Sequence, residues 1–323
     1  MVEFKDIEKA AERLAGVVVE TPLLTSALLD ELAGGRVWIK PENLQFTGSF
    51  KFRGAYNTMS QLTEEERTKG VVAFSSGNHA QAVAASGQML GIETTIVMPK
   101  DAPAIKIKNT QGYGGKTVLY DRYSEDRVAI AGKIAEESGS VVVPAFDHEH
   151  VIAGQGTVGL ELLRQLKAHG ATADQVLVSC SGGGLIAGTA LAIKHLSPKT
   201  DVYPVEPEHF DDTARSLASG NRESNDPAAR SICDALQTER PGELTFAINK
   251  KLLSPGLVVS DDEVKAAIRF AFRHLKLVVE PGGAVSLAAI LSGKIDTRDR
   301  VTAIVLSGGN IDVGMFASIQ EEQ

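Results

Sequence analysis

Lys51 is the residue of this chain whose surroundings most favour chemistry. It lies within residues 49–55, Ser-Phe-Lys-Phe-Arg-Gly-Ala, between two phenylalanines and close to Arg53. Apolar neighbours and a nearby cation both favour the neutral amine, and a neutral lysine is a nucleophile. Because such an amine condenses with aldehydes, Lys51 is a candidate for the imine-forming lysine of a pyridoxal phosphate enzyme. The alternative is an amphipathic turn in which Lys51 and Arg53 extend across a core edge.

A glycine-rich segment further along the chain favours phosphate binding. Residues 180–188, Cys-Ser-Gly-Gly-Gly-Leu-Ile-Ala-Gly, follow an apolar strand and enter a helix. Three successive glycines remove every Cβ from a loop whose amides gather at a helix N-terminus, where anions bind. Gly182, Gly184 and Ala187 also fit the relaxed dinucleotide pattern, and Glu206 stands where a ribose-binding acid could lie, so a nicotinamide enzyme is an alternative. A tight structural turn is another. With Lys51 also present, the phosphate of a smaller cofactor is the preferred interpretation.

A second strand-to-helix junction offers a site for a carboxylate. Residues 75–79, Ser-Ser-Gly-Asn-His, follow a predicted strand and supply two hydroxyls, an amide and several backbone donors at a helix start. The same residues could serve only as a helix cap. His79 is at least as consistent with a structural hydrogen-bond donor as with a catalytic base.

A third junction places a hydroxyl, Ser307, after the last apolar strand, in the sequence Ser-Gly-Gly-Asn. If that hydroxyl met the pyridine nitrogen of the cofactor, it could not keep the nitrogen protonated as a carboxylate would. Electron withdrawal into the ring would then be weaker, and prompt loss of a β-leaving group would be favoured over transamination. A glycine turn that closes the strand is the alternative.

The elements that must position these residues alternate between apolar strands and amphipathic helices, which predicts a parallel α/β sheet. Ligands of such sheets bind beyond the carboxyl ends of the strands. Strands are predicted at residues 37–40, 71–74, 95–98, 116–119, 141–143, 175–179, 202–205 and 301–306. Helices are predicted at residues 6–15, 80–90, 104–110, 124–137 and 284–291, with Asp6 as a cap of the first and Ser124 as the cap of the fourth. Two more are predicted from just after 152–157 to about 168, and from a capping box at 260–263 to about 275. Residues 206–240 are polar and are predicted to be irregular.

Length and charge limit the class of protein. The chain has 323 residues, more than one core usually spans, so two lobes are expected. A net charge of -8 without basic runs argues against a nucleic-acid partner. The two cysteines, Cys180 and Cys233, lack metal-ligand spacing and indicate a reducing, cytoplasmic setting. Neither a basic leader nor an apolar run of spanning length occurs, so we expect no secretion and no membrane insertion.

Six motifs together resemble the fold-type II pyridoxal phosphate enzymes, and within them the serine/threonine dehydratase, serine racemase and 3-hydroxyaspartate dehydratase group. They follow the family order over essentially the whole chain, and they are residues 41–55 (Pro-Glu-Asn-Leu-Gln-Phe-Thr-Gly-Ser-Phe-Lys-Phe-Arg-Gly-Ala), 75–81 (Ser-Ser-Gly-Asn-His-Ala-Gln), 151–157 (Val-Ile-Ala-Gly-Gln-Gly-Thr), 181–184 (Ser-Gly-Gly-Gly), 279–281 (Val-Glu-Pro) and 306–310 (Leu-Ser-Gly-Gly-Asn).

The resemblance implies an α/β fold like that of the tryptophan synthase β chain. Two open, mostly parallel twisted sheets would be flanked by helices, with the cofactor in the cleft between two lobes. Residues 1–60 and 148–323 would form a large cofactor-binding domain, and residues 61–147 a small domain that closes on substrate. The resemblance also implies that the protein forms a homodimer and that its substrate is a small amino acid.

The resemblance further assigns roles to individual residues. Lys51 would form the imine with pyridoxal phosphate and act as base or acid at one face of the substrate α-carbon, and Ser76 would handle protons at the opposite face. The expected cofactor contacts are Phe50 packing on the ring, Asn78 at the ring hydroxyl, Ser181, Gly182, Gly183 and Gly184 at the phosphate, and Ser307 at the pyridine nitrogen.

A divalent-cation site is also implied by the resemblance. Its ligands would be Glu206, Asp212 and the backbone carbonyl of Phe210, and such oxygen ligands suit Mg²⁺, Ca²⁺ or Mn²⁺. The alternative is a solvated acidic loop. The chain also departs from the group at two places. Phe74 replaces the histidine of mammalian-type racemases, which weakens a racemase interpretation, and Cys233-Asp234-Ala235 replaces the usual Ala-Asp-Gly.

The implied reaction is the loss of water from a β-hydroxy amino acid, which gives a keto acid and ammonia. Residues 120–127, Tyr-Asp-Arg-Tyr-Ser-Glu-Asp-Arg, resemble the segment of 3-hydroxyaspartate dehydratases, and Arg122 and Arg127 would bind a second substrate carboxylate. Two exposed arginines on a solvated helix start are the alternative. The loop residues Ser75, Ser76, Asn78 and His79 would bind the rest of the substrate. Serine or threonine dehydration, serine racemisation, a β-replacement synthase and a non-catalytic sensor are competing functions.

Overall fold

A computed structural model describes residues 2–75, 77–102, 104–121 and 123–322, without the side chains of residues 104 and 105. Within them the chain forms two parallel sheets flanked by helices, which confirms the predicted α/β class. One sheet has five strands in the order β1-β9-β6-β7-β8, and the other has four in the order β4-β3-β2-β5. The strands are β1 (Arg36–Pro41), β2 (Val71–Phe74), β3 (Thr94–Pro99), β4 (Lys116–Tyr120), β5 (Val141–Val142), β6 (Gln175–Ser179), β7 (Asp201–Pro207), β8 (Leu257–Val259) and β9 (Val301–Leu306).

Helices cover both faces of the sheets. They are α1 (Phe4–Leu14), α2 (Ala27–Ala33), α3 (Lys51–Met59), α4 (Glu64–Lys69), α5 (Asn78–Leu90), α6 (Ala104–Gly112), α7 (Arg127–Ser138), α8 (Glu149–Ala168), α9 (Gly184–Leu196), α10 (Asp212–Ser219), α11 (Glu243–Leu252), α12 (Asp261–Phe270), α13 (Pro281–Leu291) and α14 (Val313–Glu321). Short 3₁₀ turns occur at Glu42–Leu44, Phe46–Gly48 and Asp234–Leu236, and α12 continues as a π-turn, Ala271–Leu275.

The central strands of the large sheet are apolar runs because helices cover them on both sides. In β6 every residue is buried, and β9 is buried from its second residue onward. β1 pairs with β9 in parallel from Arg36 opposite Val301 to Pro41 opposite Leu306. This register brings the carboxyl ends of β1 and β9 to the same edge, and the segments that carry Lys51 and Ser307 both start there.

The strand predictions agree with the structure more closely than the helix starts do. Helix α1 begins three residues after Met1, and Asp6 lies inside it, where its carboxylate accepts from the Glu3 amide at 2.9 Å. Helix α7 is capped by Asp126 and not by Ser124, because the Asp126 carboxylate accepts from two amides at the helix start. Residues 152–157 lie within α8 and do not precede it. The capping box at Ser260 is confirmed.

Several elements were not predicted. Helices α2, α4, α10, α11 and α14 and strand β8 have short or weakly periodic sequences, and α10 lies in the region expected to be irregular. Helix α10 owes its start to a tertiary contact, since the buried Glu206 carboxylate accepts from the amides of Thr213 at 3.0 Å and Ala214 at 2.8 Å. A single-sequence pattern does not contain such a contact.

A buried network of charges fixes the helix that starts at Lys51. Arg53 is fully buried, and its guanidinium donates to Glu42 at 2.7 and 2.9 Å and to Glu161 at 2.7 and 2.8 Å. The ammonium of Lys40 donates to Glu161 at 2.8 Å. Burial favours the neutral acid, yet the Arg53 guanidinium holds the pKa of Glu42 below its usual range. The network ties α3 to α8 and to the end of β1.

The strands of the four-stranded sheet all lie between the predicted boundaries at residues 60 and 148. The strands of the five-stranded sheet all lie outside them. The division into a large and a small domain itself remains a prediction. None of the described helices combines the length and the apolar character needed to cross a bilayer.

Candidate active site

A cavity of about 180 Å³ lies where elements of the two sheets face each other. The large-sheet side contributes Lys51, the glycine turn and Ser307, and the small-sheet side contributes residues of the 75–79 loop and Arg127. Most of the predicted cofactor and substrate residues therefore share one cavity. Ser76 and Arg122 were also predicted here, but both lie outside the described residues.

Lys51 is the first residue of α3, and its side chain is directed into the cavity. Its Nζ donates to the Ala145 carbonyl at 2.8 Å and lies 5.2 Å from the centre of the Phe50 ring. Burial lowers the pKa of Lys51 from 10.5 to about 8, although the carboxyl group of Glu280 opposes the shift. The amine is thus far closer to its neutral, nucleophilic form than an exposed lysine is.

The turn at residues 181–184 joins β6 to α9. Gly183 adopts a φ of +93°, a left-handed conformation that favours glycine. A Cβ on Gly182 would lie 2.4 Å from the Phe146 ring, so a side chain would collide with this neighbour. Thr245 donates to the Gly182 carbonyl at 2.6 Å, and the Ser181 hydroxyl lies 2.5 Å from that of Thr238. The first amides of α9 have no acceptor inside the helix, as at any helix start, and they form an anion cradle.

Asn78 begins α5 and is held by two side chains. Its Nδ2 donates to Glu280 at 2.5 Å, and its Oδ1 accepts from Asn310 at 2.8 Å. Glu280 is 2% exposed, and burial together with the nearby Asp234 carboxylate raises its pKa to about 7. The orientation of the Asn78 amide is therefore fixed by partners that are far away in the sequence. Glu280 was part of a recognised motif, but sequence reasoning gave it no role.

His79 is buried, and its Nε2 donates to the Val143 carbonyl at 2.9 Å. Burial and the nearby Lys51 ammonium lower the pKa of His79 to about 3. The imidazole is consequently neutral near pH 7, and the geometry favours the structural-donor interpretation over the catalytic base. The hydroxyl of Ser75, in the same loop, accepts from the Gly77 amide at 3.2 Å.

Ser307 directly follows β9 and is nearly fully buried. Its carbonyl accepts from the Phe50 amide at 3.1 Å, which links the end of the last strand to the segment before Lys51. The adjacent Gly308 has space for hydrogen only, since a Cβ there would lie 2.1 Å from Glu280 Oε1. Ser307 also lines the cavity, and its contact with the pyridine nitrogen stays a prediction.

Arg127 is the first residue of α7 and lines the cavity. Its guanidinium lies 5.7 Å from the centre of the Phe74 ring, a cation–π distance. Among the described residues, no carboxylate forms an ion pair with Arg127. The guanidinium packs near an aromatic face, and because Arg127 is exposed, both water and a ligand can reach its charge.

Other cavity residues escaped the sequence reasoning. Lys106, Phe146 and Thr238 were not singled out, and Asp234 was noticed only as part of a departure from the family pattern. Lys106 and Asp234 form an ion pair across the cavity. A lone lysine on an amphipathic helix and an aspartate in an irregular segment carry no signal of their own, so only the fold reveals that they meet.

Of the predicted cation ligands, the Glu206 and Asp212 carboxylates are neighbours, and none of the three residues lines this cavity. Asp212 Oδ1 accepts from Asn225 at 2.6 Å, whereas Asp212 Oδ2 is buried without a hydrogen-bond partner. Burial raises the pKa of Asp212 to about 7, and burial with the neighbouring Asp212 raises that of Glu206. The described residues contain no cluster of three or more His, Cys, Asp or Glu side chains suited to a metal, so the predicted set depends on the Phe210 carbonyl as its third ligand.

Three known proteins resemble this chain over almost their whole length. An L-threo-3-hydroxyaspartate ammonia-lyase from Pseudomonas sp is 45% identical over 316 residues, 98% of each chain. A serine racemase from Schizosaccharomyces pombe is 42% identical over 97% of this chain and 96% of its own. The crystal structure of a threonine deaminase from T.th. superposes with a TM-score of 0.90 at 42% identity, covering 96% of this chain and 99% of that one.

The fold and the cavity define a class of enzyme in which a buried lysine and a glycine turn hold a phosphorylated aldehyde. The chain belongs to the pyridoxal-phosphate dependent enzyme family, whose sequence profile matches residues 14–308. The residues present fit that cofactor: the glycine turn leaves room where a Cβ would collide, the Lys51 amine has a lowered pKa, and the Ser307 hydroxyl faces the same cavity. The family match replaces the nicotinamide alternative.

Proposed function

We propose that this chain eliminates water from a β-hydroxy amino acid, with 3-hydroxyaspartate as the preferred substrate, and releases a keto acid and ammonia. The observation that carries the proposal is the shared cavity of Lys51, the glycine turn and Ser307. The names of the relatives support the reaction class, since the Pseudomonas protein is an ammonia-lyase for L-threo-3-hydroxyaspartate. Its 45% sequence identity over 98% of both chains favours the same substrate here.

When bound, pyridoxal phosphate supplies an aldehyde that takes up an amine and a ring that accepts the electron pair left by a departing α-proton. Lys51 would move that proton at one face of the α-carbon. A lysine amine whose pKa is about 8 is suited to this task, because it exchanges protons near neutral pH. Ser76 stays the predicted proton-handling group at the opposite face.

The loop at residues 75–79 would bind the α-carboxylate of the substrate. Its amides lie at the start of α5, where the helix dipole favours an anion. Asn78, held by Glu280 and Asn310, would donate or accept at the cofactor ring hydroxyl in one fixed orientation. His79 would remain neutral and hold the loop to the Val143 carbonyl.

Ser307 would bind the pyridine nitrogen without keeping a proton on it. A hydroxyl is neutral at all relevant pH values, so electron withdrawal by the ring stays moderate. Prompt expulsion of the β-hydroxyl is then favoured over longer-lived carbanion chemistry. This property supports elimination over transamination.

The preference for a dicarboxylic substrate rests on Arg127. Its guanidinium lies at the cavity, is oriented by Phe74 and carries no internal carboxylate among the described residues. A guanidinium binds a carboxylate through two parallel hydrogen bonds, and charged hydrogen bonds of this kind contribute about 1.5–3 kcal/mol. Serine and threonine lack the second carboxylate and cannot use this contact.

We expect Arg127→Ala to raise the KM for 3-hydroxyaspartate by about tenfold or more. The kcat/KM for serine and threonine should change by less than about threefold. Steady-state keto-acid release from the three amino acids measures both quantities, and Lys133→Ala, an exposed lysine on the same helix, serves as the control. Equal losses on all three substrates would contradict the second-carboxylate role.

Serine or threonine dehydration and serine racemisation remain the competing activities, and both occur among the names of the similar proteins. Phe74 disfavours the racemase, since the histidine of mammalian-type racemases is missing at that position. The same substrate comparison separates the dehydratases, and chiral analysis of recovered serine would reveal racemisation.

We also propose a divalent cation bound by Glu206, Asp212 and the Phe210 carbonyl. The buried, unpartnered Oδ2 of Asp212 supports it, because a buried carboxylate oxygen without a partner is costly. The charge of a cation would also offset the repulsion between the two carboxylates.

Magnesium in large excess over its dissociation constant should raise the melting temperature of chelator-treated protein by several degrees, since binding at about 100 Kd contributes about 2.7 kcal/mol. Asp212→Asn should abolish this increase, whereas Asp262→Asn, whose carboxylate is exposed, should retain it. Wild-type protein that melts at one temperature with chelator or with Mg²⁺, Ca²⁺ or Mn²⁺ would refute the site.

Homodimer formation is a further proposal. The exposed apolar side chains of Phe272, which packs against Phe316 of α14, and of Val278, Val313 and Met315 would supply contacts to a second copy. A cytoplasmic location is likewise proposed, and the two buried cysteines, which form no disulfide, support it.

A further inference from the structure

Lys106 is a buried cation in the active-site cavity that the proposed reaction does not yet use. It lies on α6, which follows a strand of the small sheet, and it is 7% exposed. Its Nζ forms an ion pair with Asp234, which lies on a 3₁₀ turn packed against α13 of the large-sheet side. Both residues line the cavity. The ion pair therefore spans the space that a substrate must enter.

The ammonium of Lys106 also lies beside the loop expected to bind the substrate carboxylate. A Cβ built on Gly77 would be 3.6 Å from Lys106 Nζ. Gly77 lies between Ser75 and Asn78, so the cation faces the same loop that offers amides at the start of α5. A carboxylate bound there would come within reach of a full positive charge in addition to backbone donors.

The two members of the ion pair differ in how well they tolerate separation. Lys106 is buried, and a buried ammonium without a counter-charge is strongly unfavourable. The Asp234 side chain is 48% exposed, so water can solvate its carboxylate once the pair breaks. If a ligand carboxylate took the place of Asp234 in the ion pair, Lys106 would stay paired. The Asp234 carboxylate would then be solvated by water.

We propose that Lys106 binds a substrate carboxylate and that Asp234 forms the ion pair with its ammonium group when no substrate is present. The inference rests on the proposed function, because it assigns a residue to the substrate site of that reaction. The bound group is either the α-carboxylate, which all candidate substrates share, or the second carboxylate of 3-hydroxyaspartate. Asp234 acts as an internal competitor in either case.

The competition predicts opposite effects for the two partners. Lys106→Met removes the binding group and should weaken carboxylate binding at least about tenfold. Asp234→Asn removes the competitor and should strengthen binding by about threefold or more. A pair that merely held the two sides of the cavity together would behave differently, since loss of either partner would then weaken binding.

The test uses the cofactor-loaded enzyme with succinate and butanoate, two unreactive four-carbon probes that differ by one carboxylate. Melting-temperature shifts across a concentration series give a dissociation constant for each probe. Lys108→Met, which changes an exposed lysine on the same helix, is the control and should behave as the wild type does. If Lys106→Met weakens the binding of both probes, Lys106 is assigned to the α-carboxylate. If it weakens the binding of succinate alone, Lys106 is assigned to the second carboxylate.

Weaker probe binding in Asp234→Asn, or unchanged binding in Lys106→Met, would overturn the inference. If Lys106→Met does not fold, the Asp234→Asn result decides by itself. Failure of the proposed function gives a different pattern: the wild type would release no keto acid from any hydroxy amino acid, while the probe dissociation constants would still respond to Lys106 and Asp234.

Discussion

Lys51→Ala should lower the rate of keto-acid release by at least about a thousandfold and remove the absorbance band of the covalently bound cofactor. Two functions are lost together in this variant. The chain loses the amine that anchors the cofactor and the group that moves the α-proton. General acid–base groups alone contribute about 10²–10⁴ in rate.

The pH dependence of cofactor loading gives a second measure of the same amine. Burial lowers the pKa of Lys51, so the neutral, reactive form is more abundant at a given pH than in an exposed lysine. Loading of cofactor-stripped protein should accelerate about tenfold per pH unit below the pKa of about 8 and level off above it.

Lys108→Ala, an exposed lysine elsewhere in the chain, should keep both the absorbance band and the activity. Retention of a covalent cofactor band in Lys51→Ala would show that another lysine carries the bond. A loading rate that still rises about tenfold between about pH 9 and about pH 10 would show that the Lys51 amine titrates like an exposed one.

Arg53→Met should lower the free energy of unfolding by about 3–5 kcal/mol. The guanidinium is fully buried and makes hydrogen bonds to two carboxylates, Glu42 and Glu161. Removing it takes from Glu42, which is also fully buried, the charge that contributes most to stabilising its ionised form, although Lys40 still contributes. An uncompensated buried carboxylate is among the most destabilising consequences of a single substitution.

The same substitution should also affect cofactor binding, because the network fixes α3 and Lys51 is the first residue of that helix. Denaturant unfolding of the cofactor-free protein measures the stability change independently of the cofactor. Lys69→Met breaks the exposed ion pair with Glu65 and should cost less than about 1 kcal/mol. Comparable losses in the two variants would contradict the role assigned to the buried network.

The sequence by itself singled out the cavity-lining residues that lie in continuous motifs. Lys51 between its phenylalanines, the glycines at 182–184 and the hydroxyl of Ser307 could be identified because each follows directly from local composition. The strands could be predicted for a similar reason: buried strands are short apolar runs, and this pattern is written in consecutive residues. The α/β class followed from their alternation with helices.

Helix starts were predicted less well, since capping depends on which nearby side chain reaches the free amides. Asp126 caps α7 in place of Ser124, and Glu206 supports the start of α10 from another element. The first case is a choice between two local candidates, and the second is a contact made only after the chain has folded.

Only the tertiary structure decided which distant charges meet. Asn78 is oriented by Glu280, 202 positions away, and Lys106 pairs with Asp234 at a separation of 128. Burial in the folded chain also shifts pKa values, raising that of Glu280 and lowering that of Lys51. The physical reason is that desolvation and Coulomb energy depend on three-dimensional distance, which a linear pattern of residue types does not specify.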